Sequence, residues 1–248
     1  MIVSTDGVVL KSFPYGDTSL ITRFYTKDFG KVTLIAKGVR KAKNPTGAIL
    51  EPMNVLNLNY YAKENRDMHI LKEASLHRNF TNIRNDIISL TTGLAMVEML
   101  EKTSDNNDPS PILFRLINRT LHYLDEGEVS SSILLLFFQY QLSLRLGYKP
   151  HLNTCSACKH PLQKPMLNSQ TGELNCSKCT ISHGISISEK AIIFMKQIAS
   201  THIENLLEIS DDKAEQNQAV HFMSEFMRIH IEGMQKIKSL TILNQLEN

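Results

Sequence analysis

The chain has 248 residues, 42% of them apolar, with four cysteines, no tryptophan and a formal net charge of +2. That length holds one large domain or two to three small ones, and no apolar run is long enough to cross a bilayer, so a membrane role is not expected. The charge is unevenly spread: residues 1–80 carry 12 Lys/Arg against 7 Asp/Glu, and the remainder 15 against 18, which points to a localised anionic partner.

The first 80 residues read as strands. Val8-Val9-Leu10, Leu20–Tyr25, Val32–Ala36, Val55–Tyr61 and a run around Met68–Leu71 are short and β-prone. Turn signals separate them at Pro14-Tyr15-Gly16-Asp17, Lys27-Asp28-Phe29-Gly30 and Asn44-Pro45-Thr46-Gly47. Leu20, Thr22 and Phe24 alternate with Ile21, Arg23 and Tyr25, and Val32, Leu34 and Ala36 with Thr33, Ile35 and Lys37. About five strands in so short a span predict a small barrel, with the oligonucleotide-binding (OB) fold the leading choice.

The period then changes to helical. Apolar residues at 83, 87, 90, 94, 97 and 100 predict one helix. Pro109–Leu124 and Ser130–Leu146 predict two more, the latter stopped by Gly147 and Pro150. The apolar run Ile133–Phe138 reads as part of a buried helix. Ser186-Ile187-Ser188-Glu189 resembles a capping box opening a helix to about Ser200, and a last pair is expected over roughly 213–233 and 237–246.

All four cysteines fall in two Cys-x-x-Cys pairs, Cys155/Cys158 and Cys176/Cys179, separated by 17 residues. Each such turn aims two sulfurs at one cation, so two turns side by side close a tetrahedron. Four thiolates leave no position open for water or substrate, so one structural Zn2+ is expected in a ribbon-like module. Two disulfides or buried free thiols are the alternatives; no charged-plus-apolar leader precedes the chain, so an oxidising destination is not expected. His160 and His183 flank the pairs and read as surface residues.

No acidic residue occurs between Asp28 and Glu51, and Lys31, Lys37, Arg40, Lys41 and Lys43 all lie in that window. A basic loop at the rim of a barrel can reach phosphate oxygens and release counterions. Arg23 and Tyr25 share a strand face and are expected to offer a cation and a stacking ring to single-stranded bases. The bland reading is a solvated, solubilising loop. Tyr60-Tyr61 is a weaker stacking candidate; such a pair is more often one core ring and one surface ring.

Catalytic motifs are missing. No Gly-x-x-x-x-Gly-Lys-Ser/Thr or Gly-x-Ser-x-Gly run occurs, so no nucleotide cofactor is expected. His202-Ile203-Glu204 and His230-Ile231-Glu232 both follow the cysteines, the wrong order for a zinc deaminase. An enzyme is the least supported class.

The segments Asp6–Lys11, Tyr15-Gly16-Asp17-Thr18-Ser19, Phe24–Lys31, Ala36-Lys37-Gly38-Val39-Arg40 and Leu50-Glu51-Pro52 lead, through Phe138 and Leu142, to Leu146-Gly147-Tyr148-Lys149-Pro150 before the first cysteine pair. In order and spacing they resemble the RecO family of bacterial DNA repair proteins. The resemblance implies a multi-domain α+β chain: an OB-fold barrel over 1–80, and an all-α helical domain over 81–149 and 185–248 interrupted by a four-cysteine zinc module at 150–184. It also implies binding of single- and double-stranded DNA, strand annealing without ATP, and help in loading RecA onto DNA coated by single-strand-binding protein. Implied partners are RecR and the acidic carboxy-terminal tail of single-strand-binding protein, in a cytoplasmic, nucleoid-associated setting. Lys41-Ala42-Lys43-Asn44-Pro45 stands where relatives often carry more arginine. Two other readings remain open on the residues alone: an adaptor whose helical domain captures an acidic tail, and an RNA-binding OB module.

Overall fold

Strand alternation in the first third is resolved by a closed barrel in the computed structural model, which describes every residue except 64–65, 180–183, 210–211 and 247–248. Its strands are β1 (Ile2–Tyr15), β2 (Ser19–Thr26), β3 (Gly30–Ala36), β4 (Val55–Tyr61) and β5 (Met68–Arg78), in the order β1-β2-β3-β5-β4. Only β3 and β5 run parallel; the other neighbours are antiparallel. β1 is longer than the Val8–Leu10 run suggests because its first half pairs with β4 and its second with β2. Val3, Val9, Phe24, Val32, Leu34, Leu56 and Leu58 fill the interior. A single helical turn, α1 (Thr46–Ile49), joins β3 to β4.

The chain divides into two compact units, residues 1–125 with 237–248, and residues 126–236. In the first, the barrel is accompanied by α2 (Ile87–Thr103), α3 (Pro111–Glu126) and α7 (Lys238–Leu246). α2 begins four residues later than the apolar period suggests. Asp86 takes an extended backbone and its carboxylate accepts the Ser89 N–H, an N-cap that separates the helix from a 3-10 turn at Ile83–Asn85. Leu113, Ile117, Leu121 and Leu124 form the buried stripe of α3. At the start of α7, the Glu98 carboxylate accepts the N–H groups of Lys238 (3.0 Å) and Ser239 (2.9 Å).

The second unit contains α4 (Ser131–Arg145), α5 (Glu189–Ser200), a 3-10 helix at Ile203–Glu208 and α6 (Lys213–His230), with a three-stranded sheet between α4 and α5 in sequence. Ile133 to Phe138 are all buried. The sheet comprises β6 (Pro165–Asn168), β7 (Leu174–Cys176) and β8 (Gly184–Ser186), in the order β7-β6-β8. The capping box is shifted: Ser186 ends β8, and the helix starts two residues on, where the Ser188 hydroxyl accepts the Ala191 N–H at 3.0 Å. Burial of Ile187 and its N–H bond to the Pro165 carbonyl keep the chain extended through Ser186. The architecture is therefore a five-stranded OB-like barrel followed by helices and a four-cysteine module.

Candidate nucleic-acid interface and metal centre

The seven residues of the predicted nucleic-acid surface separate into two groups. Lys37, Arg40, Lys41 and Lys43 are all exposed, on the loop from β3 to α1. Val39, buried in the barrel core, pins that loop from beneath. Turn bonds from Lys41 N–H to Gly38 O (3.3 Å) and from Asn44 N–H to Lys41 O (3.1 Å) shape it. Arg40 ties it to the β1–β2 turn: its backbone N–H donates to Thr18 O at 2.9 Å and its Nη1 to Gly16 O at 3.1 Å. Among the described residues no carboxylate forms a salt bridge with any of the four.

Arg23, Tyr25 and Lys31 lie elsewhere, on the outer face of β2 and β3, and the chain following α2 packs over that face. Lys31 bridges to Asn106 as a short parallel β-pair, and the Asn107 N–H donates to Lys31 O at 3.2 Å. Lys31 Nζ donates to the Glu101 carbonyl at 3.0 Å; desolvation lowers its pKa, with Glu101 pulling the other way. Arg23 is salt-bridged to Glu101. Gly30, at φ +64°, accepts this crossing because a Cβ there would sit 2.3 Å from the Asp108 carbonyl oxygen.

Tyr25 therefore offers no stacking surface. It is 1% exposed, and burial raises its phenol pKa while Ser110 bonds to it and Asp108 lies nearby. The expected open pairing of Arg23 with Tyr25 is replaced by a packed one, because residues 104–110 cover the end of the face where Tyr25 sits. Of the tyrosine pair, Tyr60 is buried and Tyr61 exposed. The turn signal places Tyr15 only in a connection; it ends β1, 52% exposed, next to the Gly16 carbonyl held by Arg40. The signal available was the odd-numbered series Lys11, Phe13, Tyr15, which a long β1 places on one face.

The four cysteines converge. Their sulfurs all lie within 4.8 Å of one another and none is in a disulfide. Each pair sits in a tight turn: Lys159 N–H donates to Cys155 O at 2.9 Å, and Cys179 N–H to Cys176 O at 3.0 Å. The Asn168 side chain and carbonyl accept the N–H groups of Gln170 and Gly172, which reverses the chain and returns it as β7 to Cys176. Cys158 and Cys176 sulfurs are 3.9 Å apart, close to the ~3.8 Å edge of a tetrahedron with 2.3 Å metal–sulfur bonds and far beyond a disulfide length. Burial opposes ionisation of Cys155, but N–H groups of Cys158, Cys176 and Ala157 outweigh it and bring that thiol down to about 6. Hydrogen bonds to the sulfurs of Cys176 and Cys158 push Cys179 up to about 12. Sulfurs this close share protons unless a cation replaces them, so the donor set suits a thiophilic metal ion. His160 is outside this cluster, and His183 lies outside the described residues.

Among the described residues no helix is long and apolar enough to cross a membrane. Two family models match the chain: "Recombination protein O N terminal" over residues 1–80 and "Recombination protein O C terminal" over 84–241. A DNA repair protein RecO of Thermodesulfovibrio yellowstonii is 31% identical, the alignment covering 93% of this chain and 92% of that protein. The RecO of Syntrophus aciditrophicus is 29% identical over 98% and 95% of the two chains, and that of Prosthecochloris aestuarii 26% over 99% and 98%. With both models matching in tandem and relatives aligned over nearly their whole length, the chain belongs to the RecO family of DNA repair proteins.

Proposed function

We propose that this chain is a DNA-binding recombination mediator. It binds single- and double-stranded DNA, anneals complementary strands without ATP, and helps RecA load onto DNA coated by single-strand-binding protein. RecR and the acidic tail of single-strand-binding protein are the partners this reading carries, in the cytoplasm at the nucleoid. Residues 1–80 are the DNA-binding part in this reading, with the helical parts at 81–149 and 185–248 and the zinc module at 150–184 serving partner contacts and stability.

The observation that supports it is the loop carrying Lys37, Arg40, Lys41 and Lys43, exposed and without salt bridges among the described residues. Cations held on a pinned loop neutralise phosphates and release condensed counterions. Two strands approaching the same rim then repel each other less, so pairing needs no nucleotide hydrolysis. Lys31 and Arg23, already engaged with Glu101, contribute to the local potential more than to direct phosphate contact. Cys155, Cys158, Cys176 and Cys179 hold one Zn2+, whose chemistry is that of a cross-link fixing two turns.

An annealing assay with complementary oligonucleotides, run with and without ATP, tests the class, and activity in both is expected. The triple variant Lys37→Gln, Arg40→Gln, Lys41→Gln should bind more weakly, with a salt slope flatter by roughly one unit per lost phosphate contact. Unchanged affinity and slope would reject the rim.

A further inference from the structure

β1 does not end at the barrel wall. Its last residues, Lys11 to Tyr15, pair in register with Arg23 to Ser19 of β2 as an antiparallel ribbon. Alternation puts Lys11, Phe13 and Tyr15 on one face of it, with Arg23 opposite Lys11 and Ser19 opposite Tyr15. The Arg23 guanidinium lies over the Phe13 ring, 5.9 Å from its centroid, and its side chain remains 41% exposed. Tyr15 is 52% exposed. On the outer face of β2, the stretch at Tyr25 is closed by residues 104–110, and the stretch from Arg23 towards Ser19 is the one bordered by these rings.

We infer that Phe13, capped by Arg23, and Tyr15 form a two-step stacking platform for consecutive bases of a single strand. The inference rests on the DNA-binding reading above and deepens it by assigning what distinguishes a single strand from a duplex. Residues two apart on a strand are about 6.6–6.8 Å apart, roughly twice the 3.4 Å rise per nucleotide of a B-form strand. A chain laid along the ribbon is therefore held with its bases unstacked from each other and stacked on protein. Guanidinium planes and aromatic rings both accept any base face. Lys11 flanks one end of the platform and Arg40, bonded to Gly16 O, the other, so phosphates on either side meet a cation. A duplex keeps its base faces covered and gains only the phosphate contacts.

The absence of native tryptophan gives a direct test. In Tyr15→Trp the new indole is the sole tryptophan and reports stacking through quenching, while the anisotropy of a dye-labelled oligonucleotide reports binding. Oligothymidylate should quench the indole in step with the anisotropy. An abasic oligomer of equal length, with phosphates but no bases, should bind without quenching. Tyr15→Ala should weaken oligothymidylate binding about 5- to 100-fold while leaving abasic and duplex affinity nearly unchanged, and Tyr15→Phe should restore it. Equal quenching by thymidylate and abasic oligomers, or equal loss for all three ligands in Tyr15→Ala, would overturn the platform with DNA binding intact. No anisotropy change with the unaltered protein would instead remove the DNA-binding reading itself, and the platform with it.

Discussion

Arg40 joins two loops of the barrel rim: its Nη1 donates to the Gly16 carbonyl at 3.1 Å while its backbone N–H donates to Thr18 O at 2.9 Å. The side chain thus holds the basic loop against the β1–β2 turn and carries a charge at the same point. Lysine supplies the charge without the planar fork. Arg40→Lys should keep the salt slope of DNA binding and lose affinity modestly. Arg40→Ala should lose both, with the slope flatter by about one unit. Anisotropy titrations across a range of salt concentrations separate the two.

Glu101 neutralises Arg23 beside the stacking platform. Removing its charge leaves Arg23 over Phe13 with no counter-charge, so Glu101→Gln should tighten single-strand binding and steepen the salt slope by up to about one unit. Arg23 is half-open, its side chain 41% exposed, and can rehydrate when the pair is broken, which keeps the stability cost on the order of 1 kcal/mol. Titration of oligothymidylate with a parallel urea melt checks both, and weaker binding by a variant of undiminished stability would contradict the assignment.

Glu98 fixes the first turn of α7 by accepting two backbone N–H groups and the Ser239 hydroxyl. Burial works against its ionisation, yet the bonds from Ser239 and Lys238 and the Lys102 ammonium hold its carboxyl below the usual range. A carboxylate more acidic in the folded state stabilises fully above its ordinary value of 4.5 and loses that contribution as pH falls through the folded-state value. Glu98→Gln should cost about 1–2 kcal/mol at neutral pH. The difference from the unaltered protein should shrink in acid; a gap unchanged at low pH would count against the cap.

The cysteine module should hold one Zn2+ per chain, measurable by metal analysis. Cys176→Ser should lose the ion and on the order of 3 kcal/mol of stability, seen as a fall of about 6–12 °C in the midpoint. Oligonucleotide affinity at the barrel rim should change little. A variant that retains the ion and the midpoint would argue against these four sulfurs as the ligand set.

Local order was legible in the residues themselves. Alternation of Leu20, Thr22 and Phe24 with Ile21, Arg23 and Tyr25 assigned β2 and its inward face, because strand period is a property of consecutive residues. The two Cys-x-x-Cys turns announced a four-sulfur cluster for the same reason, each turn being only four residues long. The Ser186–Glu189 pattern points to a helix start two residues before the Ser188 cap, because Ile187 is held extended by Pro165, a contact that no capping pattern contains.

Which outward residues meet solvent was decided only by the folded chain. Arg23 and Tyr25 have the same local pattern, yet one keeps a half-open guanidinium and the other is sealed beneath residues 104–110. The Arg23–Glu101 contact spans 78 residues, so no window of sequence records it. Tyr15 is the converse case: turn chemistry marked it as a connector, and pairing with Ser19 makes it the exposed end of a ribbon. Periodicity tells a side chain which face it occupies; whether that face is covered depends on distant segments competing for the same surface.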